Sequence, residues 1–160
     1  MSGRHALYAG TFDPFTLGHL DVVRRAAGLF GQVTVGVARN PLKHPLFTPE
    51  ERVEMIEEAI ADTDGVRVTA FDGLTVDFAR RHGMTVLVKG LRGPADLDSE
   101  LQQAAMNHEL APELITVFLP ATPNQAFVSS SILKDVASQG RDVAAFLPEP
   151  VARRIKEKFR

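Results

Sequence analysis

The feature that most constrains this chain is alternation. Short apolar or β-branched runs trade places with helix-periodic segments from one end to the other. Residues 6–9 (Ala-Leu-Tyr-Ala) read as a buried strand closed by Gly10. Residues 18–30 then repeat Leu20, Val23, Ala27 and Phe30 on one helical face. Residues 32–38 form a β-branched run, hence a second strand, and Thr48-Pro49-Glu50-Glu51 opens a helix. Thr48 caps it, Pro49 suits its first turn, and Glu51 completes a capping box. Further strands are predicted at 66–71, 85–88 and 114–119. Helices are predicted at 75–82, 94–110, 129–139 and from about 150 onward, with Gly83 and Gly140 closing the first and third of these. Five strands separated by helices imply βαβ units, a parallel sheet, and right-handed crossovers that put helices on both faces. The expectation is an α/β fold: one Rossmann-like domain over residues 1–160, with a five-stranded parallel sheet flanked by helices. A length of 160 residues fits one core.

That architecture says where chemistry belongs. Ligands of such sheets bind beyond the carboxyl ends of the strands, where strand order reverses. The loops to inspect are 11–17, 39–47, 72–74, 89–93 and 120–128. Several functions are set aside by composition. There is no cysteine, which removes disulfides, thiolate catalysis and Cys-based zinc sites. The net charge is -2 with Lys and Arg dispersed, so no basic face invites nucleic acid. No segment is long and apolar enough to span a bilayer. The opening Met1-Ser2-Gly3-Arg4-His5 lacks the pattern of a signal peptide, so the expected location is cytoplasmic, with no membrane partner.

Three of those loops hold residues suited to phosphate. The first is Gly10-Thr11-Phe12-Asp13-Pro14-Phe15-Thr16-Leu17-Gly18-His19. Gly10 is expected to permit a sharp exit from the strand. Gly18 and His19 fall at a helix start, where free N–H groups and the helix dipole favour an anion. The dipole disfavours a charged His19 and a bound phosphate favours it, and sequence leaves the two in balance. Lys89-Gly90-Leu91-Arg92-Gly93 follows a strand; Arg92 can grip phosphate oxygens with two donors and Lys89 acts as a point charge. Ser129-Ser130-Ser131 begins a helix, where hydroxyls and amides can receive a phosphate chain. Each feature alone also has an ordinary structural explanation: a core histidine, a solvated turn, a simple N-cap, and for Lys43 a surface lysine. Asp13 suits a turn before Pro14 better than a metal. What weighs against coincidence is that all of them fall at the carboxyl ends of predicted parallel strands.

Together these residues resemble a known family. Thr16-Leu17-Gly18-His19 is similar to the nucleotidyltransferase signature Thr/His-x-Gly-His, and Phe127-Val128-Ser129-Ser130-Ser131 to its second signature. With Lys89 to Arg92, Phe47-Thr48-x-Glu50-Glu51-Arg52 and Phe146-Leu147-Pro148, the whole chain resembles the bacterial phosphopantetheine adenylyltransferases. The resemblance implies transfer of AMP from ATP to 4′-phosphopantetheine, giving dephospho-coenzyme A and pyrophosphate, the penultimate step of coenzyme A synthesis. It also implies Mg2+ accompanying ATP with no dedicated protein metal site, a homohexamer, and feedback binding of coenzyme A. Carried over by position, Thr11 and His19 are catalytic. ATP is held by Thr11, Phe12, His19, Gly90, Leu91, Arg92, Glu100, Gln125, Ala126, Phe127, Val128, Ser129, Ser130 and Ser131. The acceptor is held by Thr11, Lys43, Leu74, Thr75 and Lys89. Lys89 stands where many relatives carry Arg, Thr75 where they are often apolar, and 122–126 lacks an aromatic residue common in them. Met106 and Asn107 lie within reach of a pantetheine arm on the long helix, with core or interface packing as the default for Met106.

The chemistry agrees with such a residue set. A phosphate monoester is already a nucleophile at neutral pH, so the site needs cations and donors to bring two anions together, and no general base. Two other readings stay open at this point: a related enzyme with a different phosphorylated acceptor such as nicotinamide mononucleotide, and a nucleotide-binding regulatory module without turnover.

Overall fold

In a computed structural model the described residues are 3–160; Met1 and Ser2, the first residues of the N-terminal stretch weighed above, lie outside them. Five strands, β1 (His5–Gly10), β2 (Gln32–Ala38), β3 (Val66–Phe71), β4 (Val86–Leu91) and β5 (Ile115–Pro120), form one parallel sheet. Its order is β3-β2-β1-β4-β5. The chain thus walks outward from β1 to β3, then crosses back to lay β4 on the other side of β1. The point of reversal lies between β1 and β4, and their carboxyl ends frame a crevice. The helices are α1 (Leu17–Phe30), α2 (Pro49–Ala59), α3 (Thr75–Arg81), α4 (Pro94–Leu110), α5 (Ser130–Ser138) and α6 (Glu149–Lys158). The expected α/β, five-stranded parallel architecture is what the chain adopts.

Strand alternation divides the core into two layers. Ala6 and Tyr8 of β1, Val33, Val35 and Val37 of β2, and Val86 and Val88 of β4 face one side, where Val23, Ile56, Val151 and Ile155 cover them. Leu7 and Leu87 point the other way and meet Phe71, Val76, Phe78, Met84 and Leu114. Burying each such side chain contributes about 1.5–3 kcal/mol, so the central strands anchor the loops at their ends. Gly36 sits in a tight place: a Cβ there would stand 3.0 Å from both Leu7 Cδ1 and Phe71 Cε1, so both side chains would have to give way.

The differences from the sequence reading cluster at element ends. Lys89, Gly90 and Leu91 belong to β4 and not to a loop, because they pair with Phe118, Leu119 and Pro120 of β5. Short 3-10 turns appear at Pro41–Lys43, Pro123–Gln125 and Ala144–Phe146. Gly10 is not in the left-handed region. It is glycine for space, since a Cβ would lie 3.1 Å from the Phe12 ring folded back over it. The capping box of α2 forms as expected, with Thr48 and Glu51 satisfying each other's backbone N–H. Met106 is not core: it is 60% exposed, and α4 has no buried residue at all.

Candidate active site

The first loop owes its shape to a second, unforeseen capping box. Thr16 caps α1, with its hydroxyl accepting from the His19 N–H at 3.2 Å. In return the Thr16 N–H donates to His19 Nδ1 at 3.0 Å. A backbone N–H can only donate, so Nδ1 is the bare nitrogen and the neutral ring carries its proton on Nε2. The ring stacks on Phe15 with 5.5 Å between centroids and meets Phe12 edge-on at 5.1 Å. Burial, aided by the charge of Arg92, lowers the His19 pKa to about 4. The balance left open by the sequence therefore falls to the neutral imidazole, a donor through Nε2–H at neutral pH.

His19 lines a cleft of about 490 Å³ over the β1/β4 crevice together with Thr11, Lys43, Lys89, Gly90, Glu100, Ser130 and Ser131. A side branch of about 280 Å³ adds Arg92, Val128 and Ser129. A second branch of about 410 Å³ shares Thr11, Lys43 and Lys89 and continues along Leu74, Thr75, Met106 and Asn107. Most of the residues expected to hold ATP, and those expected to hold the acceptor, thus line two adjoining hollows, with Thr11, Lys43 and Lys89 at their junction.

Other expected residues are placed differently. Phe12 lines the cleft, but its ring is buried among Tyr8, Phe15 and His19. Phe127 is 65% exposed and turns its ring edge-on to Phe146, away from the cleft. Leu91 and Ala126 also lie outside the residues lining these hollows. Gln125 packs against Gly18 at the start of α1, with its side-chain oxygen buried and without a hydrogen-bond partner.

The cations are mostly held by carboxylates. Lys89 Nζ stands 3.3 Å from Glu100 Oε2. Arg92 grips Asp96 through Nε at 3.1 Å and Nη2 at 3.2 Å. Its remaining arm donates to the Val128 carbonyl at 3.5 Å, linking β4 to the segment before α5. Ser129 caps α5, and Ser130 Oγ donates to the Pro14 carbonyl at 2.7 Å, which draws α5 onto the first loop. Asp13 forms neither an Asx turn nor a metal site: its buried carboxylate accepts the Leu46 and Phe47 N–H groups at 2.8 and 3.0 Å and pairs with Lys134 at 2.9 Å.

Three residues near the cleft were not among the expected site residues. Lys134 lines the cleft one turn beyond Ser130, and the i,i+4 spacing was the signal available for it. Tyr8 lines it from β1, its hydroxyl pKa raised by burial and then by Glu100. Arg52 is 1% exposed and binds loop carbonyls behind the cleft; nothing in a helical Arg marks it as buried.

Comparison with known proteins adds to this geometry. The model of the Cytidylyltransferase-like family matches residues 7–136. Similar curated proteins carry the name phosphopantetheine adenylyltransferase. One from Heliobacterium modesticaldum is 50% identical, covering 96% of this chain and 92% of its own length. One from a Chelativorans species is 48% identical over 99% of both chains. One from a Synechococcus species is 49% identical, covering 96% of this chain and 97% of its own.

Proposed function

Because the chain belongs to the cytidylyltransferase-like family, and within it to the phosphopantetheine adenylyltransferases, we propose that its β1/β4 cleft carries out adenylyl transfer through the residues gathered there. The reaction moves AMP from ATP to 4′-phosphopantetheine and releases pyrophosphate. The observation that carries the residue assignment is the meeting of Thr11, His19, Lys43, Lys89, Ser130 and Ser131 in one cleft at the switch point of the sheet. We take residues 1–160 as one catalytic domain.

The acceptor phosphate attacks the α-phosphorus; a P–O bond forms there and the bond to the bridging oxygen of pyrophosphate breaks. No proton has to be removed from the nucleophile. His19 donates Nε2–H to an α-phosphate oxygen as charge gathers there, with Thr11 beside it. A neutral donor with its proton already placed needs no rearrangement at the moment of reaction. Lys43 and Lys89 hold the acceptor phosphate at the junction of the two hollows, and Leu74 and Thr75 border its arm. Arg92, Gly90, Glu100, Val128, Ser129, Ser130 and Ser131 form the ATP side, with Phe12 acting through its main chain; Leu91, Gln125, Ala126 and Phe127 stand outside the lining and are not assigned a contact. Lys134 adds a cation to that side.

Magnesium is expected to enter with ATP. The carboxylates nearest the cleft do not fit a protein-held ion, since Asp13, Asp96 and Glu100 are already paired with Lys134, Arg92 and Lys89. No group of three metal-ligating side chains occurs among the described residues.

Two features bear on partners. Helix α4 exposes Leu97, Leu101, Met106 and Leu110, and the edge strand β5 exposes Ile115. An apolar face of this kind supports a homo-oligomer, for which the resemblance supplies six copies; light scattering that gives a monomer mass removes it. Coenzyme A shares the pantetheine arm and would compete in the acceptor hollow. Among the described residues no helix is long and apolar enough to cross a membrane, and the use of ATP supports a cytoplasmic location.

The deciding experiment is incubation with ATP, Mg2+ and a panel of phosphorylated acceptors, with products identified by mass. Dephospho-coenzyme A with stoichiometric pyrophosphate is expected from 4′-phosphopantetheine alone. Adenylylation of another acceptor reassigns the substrate. ATP binding without pyrophosphate from any acceptor makes the protein a regulatory module.

A further inference from the structure

Lys43 poses a problem of positioning. It sits in the 3-10 turn Pro41–Lys43, in the stretch 39–48 between β2 and α2, and its side chain is exposed while lining both hollows. Among the described residues the hydrogen bonds of the turn are local: Asn40 accepts the Leu42 N–H through Oδ1 at 3.1 Å and the Lys43 N–H through its carbonyl at 3.2 Å. A lone charge on a long, mobile side chain selects a substrate phosphate only if the backbone beneath it is fixed.

Arg39 ties the start of the stretch to the Phe71 carbonyl and to Glu50, and one buried side chain joins its two ends from below. Arg52 rises from the first turns of α2 and is buried. Its Nη1 donates to the Ala38 carbonyl at 3.2 Å, where the stretch begins. Its Nε donates to the Phe47 carbonyl at 3.1 Å and the Thr48 carbonyl at 3.3 Å, where the stretch ends. The same Nη1 reaches the Thr11 carbonyl at 2.6 Å. A planar guanidinium is the one side chain with enough donors, in a rigid fork, to hold these carbonyls at once. From the other side Asp13 takes the Leu46 and Phe47 N–H groups. The base of the Lys43 stretch is thereby closed by a buried cation and a buried anion, and both belong to or touch the loop that carries Thr11.

We propose that Arg52 is a positioning residue for the acceptor: by closing the base of the 39–48 stretch onto the Thr11 carbonyl, it sets where Lys43 stands relative to the transferring centre. This rests on the functional reading above. A merely stabilising role is a poor account of the contacts, because well-packed apolar side chains often replace buried charges without loss of stability. What an apolar residue cannot do is join the two ends of one loop to the backbone of another.

The test is a double-mutant cycle on acceptor binding, using Lys43→Ala, Arg52→Gln and the pair, with 4′-phosphopantetheine as the calorimetric probe and KM for ATP measured alongside. If Arg52 acts through Lys43, each single change weakens acceptor binding about tenfold, and the pair together also about tenfold instead of about a hundredfold. KM for ATP stays within about twofold throughout. Multiplicative losses, or an equal rise in KM for ATP, overturn the proposal. Arg52→Gln leaves buried carbonyls without donors and can fail to fold. Arg52→Lys then takes its place in the same cycle; it keeps the charge and loses the fork, so a loss of about threefold, absent in the Lys43→Ala background, is expected. If the wild-type protein itself neither binds 4′-phosphopantetheine nor forms dephospho-coenzyme A, the functional reading falls and this proposal with it. If the wild type does both and the cycle is multiplicative, the role of Arg52 alone is refuted.

Discussion

The two hollows that meet at Thr11 are built on opposite plans. On the proposed ATP side the charged groups and the key donors are held: His19 by Thr16, Arg92 by Asp96 and the Val128 carbonyl, Ser130 by the Pro14 carbonyl, Lys134 by Asp13. On the proposed acceptor side Lys89 is paired with Glu100, but Lys43 has no ion pair among the described residues, and Leu74 and Met106 stand exposed along the wall. The contrast follows from what each half handles. Charge migrates at the α-phosphorus, where donors fixed in advance avoid reorganisation. A long, mostly neutral arm needs one charge at its phosphate end and an apolar wall elsewhere. Fixed groups should therefore cost much when lost and wall groups little.

His19→Gln attacks the most fixed group. Gln at this third helical position still serves a capping box with Thr16, so helix α1 should keep its start. Loss of a preorganised donor costs about 3 kcal/mol, or about a hundredfold in kcat, with KM for ATP little changed. Steady-state kinetics on the folded variant check this. A kcat within threefold of wild type would mean that the imidazole is only part of the cap.

The same substitution isolates a pH effect on stability. The folded pKa of His19 is lowered from 6.5 to about 4 by burial and Arg92. The unfolded chain takes up the proton first as pH falls, so this contribution is fully present above about pH 6.5 and is lost between there and about pH 4. Allowing for the part of the ring that meets solvent, the loss should be about 1–2 kcal/mol. Thermal melts of wild type and His19→Gln over this range should converge toward acid. Parallel curves would show that the ring is not held neutral.

Lys43→Ala probes the freer side. Acceptor affinity should drop about tenfold, worth about 1.4 kcal/mol, with ATP affinity intact. Calorimetry with each substrate separates the two, and an equal loss for both would erase the distinction between the hollows.

How far the sequence foresaw this contrast depends on whether a residue announces itself locally. The alternation of apolar runs was enough for the sheet and its helices, and the segments after the strands did hold Thr11, Lys43 and Arg92, with His19 and Ser129 to Ser131 at the helix starts that follow. Lys89 and Gly90 were mistaken for loop because glycine weakens a strand signal, while pairing with β5 overrides it. The couplings behind the cleft left no local trace. Arg52 lies on a helix, 41 residues from the Thr11 carbonyl it binds, and Asp13 is 121 residues from Lys134. The His19 tautomer depended on where the Thr16 N–H points, which only the capping geometry discloses.

The smallest expected effect belongs to the acceptor wall. Met106→Ala removes a flexible thioether from a surface where it is more than half exposed, so little apolar contact is forfeited in the free protein. If the wall merely shields the arm, acceptor KM should rise about twofold, with kcat and KM for ATP unchanged. In an oligomer this exposed face of α4 could be covered by a second copy, and the same substitution would then loosen assembly. Kinetics and light scattering on Met106→Ala, each across a tenfold range of protein concentration, separate these outcomes. A KM shift independent of concentration assigns Met106 to the arm. A shift that appears only on dilution assigns it to the contact between copies, and the acceptor hollow would then end at Leu74 and Thr75.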